Sequence, residues 1–185
     1  MDKTEKEGGR SESLAHSNIS LVLNSYGDIF SSFDARGFSE KALSEDFLEE
    51  CQRAARDKDD KGIELILAMP REKRNLSDEI KIKKRLREHF HKHFLEKERE
   101  IRRIKRTGFK WIGVGTFLMI FATLIHTYAK TVNLLFSFLL VVSEPAGWFS
   151  FWEGLAKIFI DSEEVEPEIS FYKKMAGSDI LFISY

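Results

Sequence analysis

The chain has 185 residues, 43% of them hydrophobic, and its 29 basic and 30 acidic side chains leave a net charge of −1. Its single cysteine, Cys51, excludes an internal disulfide, and its place on the polar stretch EECQRAAR reads as an ordinary helix position without nucleophilic activation. The balanced charge hides a segregation: residues 1–60 carry 8 basic and 14 acidic side chains, residues 71–106 carry 15 and 7, and the apolar residues gather between Trp111 and Trp152.

The first 17 residues, MDKTEKEGGRSESLAHS, are polar and charged and read as a disordered tail. NISLVLNS then places Ile19, Leu21 and Leu23 on one face of a strand, and GIELILAM does the same for Ile63, Leu65, Leu67 and Met69, with Pro70 closing the run. Between them, LSEDFLEECQRAAR has Ser44 as a cap, acids early and arginines late, which predicts a helix of about 13 residues. Strand, helix, strand implies a right-handed crossover and parallel pairing. A third short strand, SDILFISY, follows a helical PEISFYKKM at the far end of the chain. Residues 18–75 and 162–185 are thus expected to build one small α/β domain with a single sheet.

The loop SSFDARGFSEKAL, between the first strand and its helix, is richer in Asp34, Arg36, Ser39 and Glu40 than a plain connector needs. Loops after strands are common ligand sites, so these four residues are a candidate ligand loop. The competing reading is a set of turns with one local Asp/Arg pair.

Residues 76–108 read as a long basic helix, a stalk, with Ser77 as cap and Asp78 and Glu79 in its first turn. Its apolar stripe runs Ile82, Leu86, Phe90, Phe94, then through Lys97 to Ile101 and Ile104. His89 and His93 lie four apart, a spacing that can hold a metal, but no third ligand and no HExxH pattern accompany them, so a solvated helix face is expected and no metal or cofactor is assigned. No catalytic residue is assigned either, because no phosphate loop, dinucleotide fingerprint or nucleophile elbow occurs.

At its end this helix carries Arg102, Arg103, Lys105 and Arg106, followed by WIGVGTFLMIFATLIHTYA, 19 residues without a formal charge. At 1.5 Å per residue that run matches the hydrocarbon thickness of a bilayer. A second apolar stretch begins near Val132, after a link short enough only for an antiparallel hairpin, so residues 109–161 read as a two-span transmembrane hairpin. Seven cations lie between residues 97 and 110, against Lys130 alone in the link. This asymmetry orients both termini toward the cytoplasm at the cell membrane. The four juxtamembrane cations are the expected contacts for anionic lipid head groups, and no nucleic-acid motif supports nucleic acid as their partner.

Glu144 and Pro145 interrupt the second span. SEP is a typical helix start, with a serine cap, a carboxylate at the positive helix end and a proline that needs no donor there. Either one kinked helix runs from about 132 to 160, or a half-span is followed by an aromatic helix at the interface, where Trp148 and Trp152, with Trp111 of the first span, are expected. A charge at that depth costs about 2.5 to 3.5 kcal/mol on insertion scales. Glu144 is therefore either a functional site or a cap that anchors the kink.

FSEKALSEDFLEE and EPAGWFSFWEGLAKIF resemble segments of small, uncharacterised prokaryotic two-span membrane proteins, which carry S-E-[KR]-A-L-S-x-D-F-L and E-P-x-G-W-F-x-x-W-E-G-L patterns. The similarity extends from about residue 18 to the end of the chain. The resemblance implies the two-span layout and transfers no catalytic residue. Together these readings predict an α/β protein with membrane helices, its cytoplasmic domain a module that binds a protein partner or a second copy. The alternative is an oligomeric, channel-like effector gated through that domain.

Overall fold

The computed structural model describes residues 18–56, 58, 63–128 and 133–185. The tail 1–17 and the link around Lys130 lie outside the described residues. In chain order the elements are β1 (Asn18–Val22), a 3₁₀ turn (Tyr26–Ile29), α1 (Glu45–Ala55), β2 (Glu64–Met69), a second 3₁₀ turn (Arg71–Lys73), α2 (Leu76–Tyr128), α3 (Leu134–Ala156), a π-helical turn (Lys157–Asp161), α4 (Ser162–Ala176) and β3 (Asp179–Ser184). The fold is mostly helical, with one small sheet. Two compact units form: the described residues up to Leu95 with Glu168–Tyr185, and Glu96–Pro167.

In the first unit the sheet order is β1-β2-β3, with β2 parallel to both neighbours. The period-2 alternation of β2 sends Leu65, Leu67 and Met69 to one face, each fully buried, where Ile19 from β1 and Ile180 and Phe182 from β3 join them. Three helices close over that face with Phe47, Cys51 and Ala55 from α1, Ile82, Leu86 and Phe90 from α2, and Phe171 and Met175 from α4. Each large apolar side chain buried this way stabilises the unit by about 1.5–3 kcal/mol.

Two details depart from expectation. Ile82, Leu86 and Phe90 are fully buried in this core, so the first part of α2 belongs to the α/β unit, and the boundary falls after Leu95 rather than at residue 75. The cap of α2 is Asn75, whose Oδ1 accepts from the Ser77 backbone N–H at 2.9 Å, so Ser77 supplies the capped donor and is not the cap. Cys51 is, as read from the sequence, a helix residue without nucleophilic activation: it is buried in the core, and burial pushes its thiol pKa up to about 12. Ser44 does occupy the N-cap position of α1, though its side chain makes no capping hydrogen bond.

A buried ion pair ties the entrance of α2 to the sheet. Glu79, with 4% of its side chain exposed, receives Arg74 Nε at 2.7 Å and a second guanidinium nitrogen at 3.1 Å. Tyr26 Oη donates to the same carboxylate at 3.2 Å, and Arg74 reaches Ser184 Oγ on β3 at 2.8 Å. The Arg74 contact holds the Glu79 carboxyl below its usual range.

The second unit joins the later part of α2 to α3 and the π-helical turn. Both helices are long and apolar enough to cross a membrane, and most of their apolar window is exposed rather than buried inside the molecule. That separates them from the buried helices of a water-soluble core.

Candidate membrane-facing site

The packing of the second unit is set by its smallest residues. A Cβ added to Gly115 would lie 2.5 Å from the Phe151 backbone nitrogen and 2.7 Å from the Gly147 carbonyl oxygen; one added to Gly154 would lie 2.6 Å from the Gly108 carbonyl oxygen. Real side chains do not fit at such distances, so the two backbones touch at Gly115/Gly147 and at Gly108/Gly154. The contacts are seven residues apart on both helices and therefore belong to one antiparallel register. A seven-residue repeat keeps one face of each helix toward its neighbour. Ala122, seven residues beyond Gly115, and Ser143 continue the buried set.

The large side chains point the other way. Phe117, Ile120, Leu135, Phe138, Val141 and Phe149 are each more than half exposed. Small residues inside and large apolar ones outside is the reverse of the α/β core, and it is the pattern that lipid selects.

The glycine register also sets the depth of the predicted residues. Trp111 and Trp152 fall near one level of the hairpin and Trp148 one turn away along α3; all three are partly exposed, with Trp148 and Trp152 edge to face at 5.7 Å between centroids. Glu144 lies about one turn from Trp148 and two turns from Trp152, on the apolar side. Its side chain is exposed and makes no hydrogen bond or ion pair with another described residue. No helix begins at SEP: α3 passes through Pro145, and its cap is Asn133, whose Oδ1 accepts from the Phe136 N–H at 3.0 Å. Proline inside an apolar helix leaves one carbonyl without its usual donor, which membrane helices tolerate.

On the charged side of the tryptophan level, Arg102, Arg103, Lys105 and Arg106 are all exposed on α2. Arg102 bonds Glu98 at 3.0 Å, whereas Arg103 has no partner among the described residues. Thr107 and Gly108 follow the cluster directly along α2, and at Gly108 the helix meets α3.

The candidate ligand loop on the first unit closes on itself. Asp34 accepts from the Ala42 N–H at 2.7 Å, the Arg36 N–H at 3.0 Å and the Arg36 guanidinium at 2.7 Å. The guanidinium and these amides hold the Asp34 carboxyl well below the usual range. Ser39 and Glu40 are exposed on the following turn, which closes through the Glu40 N–H and the Gly37 carbonyl at 2.9 Å. The four residues thus share a loop, but its strongest groups are consumed in building it. A cleft of about 330 Å³ lies at the carboxyl end of β1, lined by Val22, Asp28, Asp46 and Glu50 and by none of the four loop residues.

His89 and His93 sit together on α2, ring centroids 4.3 Å apart, with His93 stacked on Tyr172 of α4 at 5.3 Å. Burial, with the neighbouring His93, pushes the His89 pKa down to about 4, which keeps the ring neutral near pH 7. Among the described residues no set of three His, Cys, Asp or Glu side chains is placed to hold a metal.

Sequence reasoning passed over two features. The first is the glycine seam, whose signal was the seven-residue spacing of Gly108, Gly115 and Ala122 against that of Gly147 and Gly154. The second is the far face of the sheet. There Ser20, Ile66 and Leu181 stand in register, as do Val22, Ala68 and Ile183, and Val22, Leu181 and Ile183 are 72%, 40% and 46% exposed. Parallel sheets are normally covered on both faces.

Comparison with family models, with curated proteins and with solved structures found no match.

Proposed function

We propose that this protein is an integral membrane protein whose two spans form a hairpin with both termini on the cytoplasmic side of the cell membrane. In this reading it belongs with the small prokaryotic two-span proteins it resembles, and its α/β unit is an interaction module that pairs with a second copy. The observation that carries the module is the uncovered, apolar face of a parallel sheet. A second copy suits that face because its two ends differ in charge. Glu64 and Asp179 mark the amino ends of the strands, while Arg71 and Lys73 follow the carboxyl end of β2. Two sheets stacked face to face with strands antiparallel bring the acidic end of each over the basic end of the other, the self-complementary arrangement a two-fold dimer requires. Insertion in the membrane rests on the outward apolar side chains and the glycine seam, and its direction on the seven cations flanking the first span. Those cations add about 1 kcal/mol each against an acidic leaflet.

The test is the double substitution Val22→Glu with Ile183→Glu, in the full chain in detergent. Both side chains are on the uncovered face, so helical content and thermal midpoint should hold while the mass measured by light scattering falls from dimer to monomer. An unchanged dimer with both charges present would reject the sheet face as the contact.

A second reading, an oligomeric channel-like effector gated through the α/β unit, is favoured by Glu144. An unpartnered carboxylate on the outer surface of the hairpin, inward of the tryptophan level, is costly in lipid and is relieved where copies enclose water. Ion flux through reconstituted vesicles, abolished by Glu144→Gln with assembly intact, distinguishes this reading from the first.

A further inference from the structure

Resting on the membrane reading, we infer that the hairpin carries a specific site for the zwitterionic phosphoethanolamine head of a phospholipid, in the cavity beside the π-helical turn. The cavity measures about 250 Å³ and is lined by Glu100, Arg103, Ile104 and Thr107 of α2 and by Lys157 and Asp161 of the π-helical turn. Turns of this kind insert one residue into the helical ladder and recur at binding sites. Here the turn brings Lys157 and Asp161 to face the α2 side chains.

Charge counting selects the head group. Glu100 is matched by Lys97 at 3.1 Å. Lys157 is shared between two carboxylates, Glu153 at 2.9 Å and Asp161 at 3.3 Å. One acid is therefore in excess on the α3 side, while on α2 the exposed Arg103 guanidinium has no partner among the described residues. The cavity thus offers one surplus cation and one surplus anion. A phosphodiester satisfies Arg103, with the Thr107 hydroxyl as a further donor, and a primary ammonium satisfies Asp161. A purely anionic head would leave the acid unmatched. A quaternary ammonium would present no N–H to it.

Depth selects a lipid over a soluble phosphate ester. Thr107 lies one turn outside Trp111, and Arg103 one turn further, which is the head-group layer when the tryptophans mark the interface.

The experiment extracts the full chain in mild detergent from vesicles of phosphatidylethanolamine, phosphatidylglycerol and phosphatidylcholine in equal parts, and reads the retained lipid by intact-complex mass spectrometry. Phosphatidylethanolamine should be retained over the other two. Arg103→Gln should lower its retention about fivefold, and Asp161→Asn should shift preference toward phosphatidylglycerol. Equal retention of the three lipids, or retention indifferent to both substitutions, would overturn the site. Displacement by an equal concentration of soluble glycerophosphoethanolamine would assign it to a soluble ester and overturn the lipid occupant. Release of the protein from the vesicles by alkaline carbonate would instead refute the membrane reading, so the two failures are distinguishable.

Discussion

The two units of this chain use opposite packing rules. In the α/β unit, Leu65, Leu86 and Phe90 are fully buried beneath exposed charged residues, and removal of apolar surface from water supplies the drive. In the hairpin, Gly115, Gly147, Gly154, Ala122 and Ser143 are buried, and Phe117, Phe138 and Phe149 face outward. No hydrophobic gain remains to be made by bringing such helices together in lipid, so association depends on close backbone contact, which only small residues permit. The pattern of what is inside thus distinguishes the two units, and it does so more sharply than mean hydropathy.

Substitutions that invert one rule at a time sharpen the contrast. The largest effect is expected from Gly147→Leu. The new side chain meets Met119 Cγ at 2.8 Å and the Gly115 carbonyl at 3.1 Å from its first carbon alone, so the hairpin contact should be lost outright. Cysteine pairs engineered across the seam should then fail to cross-link, while Phe138→Leu, on the outer surface, leaves cross-linking unchanged. Next is Phe90→Ala, which opens a cavity in the α/β core and should cost about 3–5 kcal/mol, read by urea denaturation of the tertiary signal of that unit. The matched change Phe117→Ala should leave this transition where it was.

The smallest effect is a pH dependence confined to the α/β unit. Folding lowers the pKa of His89 from 6.5 to about 4, so between those values the unfolded chain binds the extra proton and stability falls as pH falls. The loss is about 2 kcal/mol once partial exposure is allowed for. Glu79, whose folded pKa is also lowered, adds a further loss as pH drops below the ordinary carboxylate range. His89→Phe should flatten the first part of the profile, and a profile unchanged by that substitution would assign the acid sensitivity elsewhere.

Much of the α/β unit was legible in the sequence because period-2 alternation marks Leu65, Leu67 and Met69 directly, and the three strands and α1 lie where that periodicity predicts. The extent of its core was not. Ile82, Leu86 and Phe90 have the right helical spacing, but spacing alone cannot say whether a stripe lines a stalk or meets a sheet. The cap at Asn75 escaped because Ser77, two residues later, matches the same preference. In the hairpin, averaging over hydropathy finds the two apolar helices and blurs the seam, since glycine and serine register only as weak interruptions. SEP carries genuine helix-start signals, yet of the two geometries open in the sequence the continuous helix is the one found: α3 has its cap at Asn133 and runs on through Pro145. In the loop, Asp34 and Arg36 do pair, and only the geometry reveals that the Ala42 amide takes the remaining capacity of the carboxylate.

The central claim is that the inverted unit is a membrane hairpin with both ends of the chain on one side. Its most direct test is labelling of a single cysteine, Thr131→Cys, by an impermeant maleimide on intact cells, with reporters fused at residues 1 and 185. Cys51 gives little background, because it is fully buried and its thiol pKa is pushed up to about 12. The account predicts labelling of the new cysteine from outside and both reporters active only in the cytoplasm. A reporter found outside, or a cysteine labelled only after the cells are opened, would contradict it.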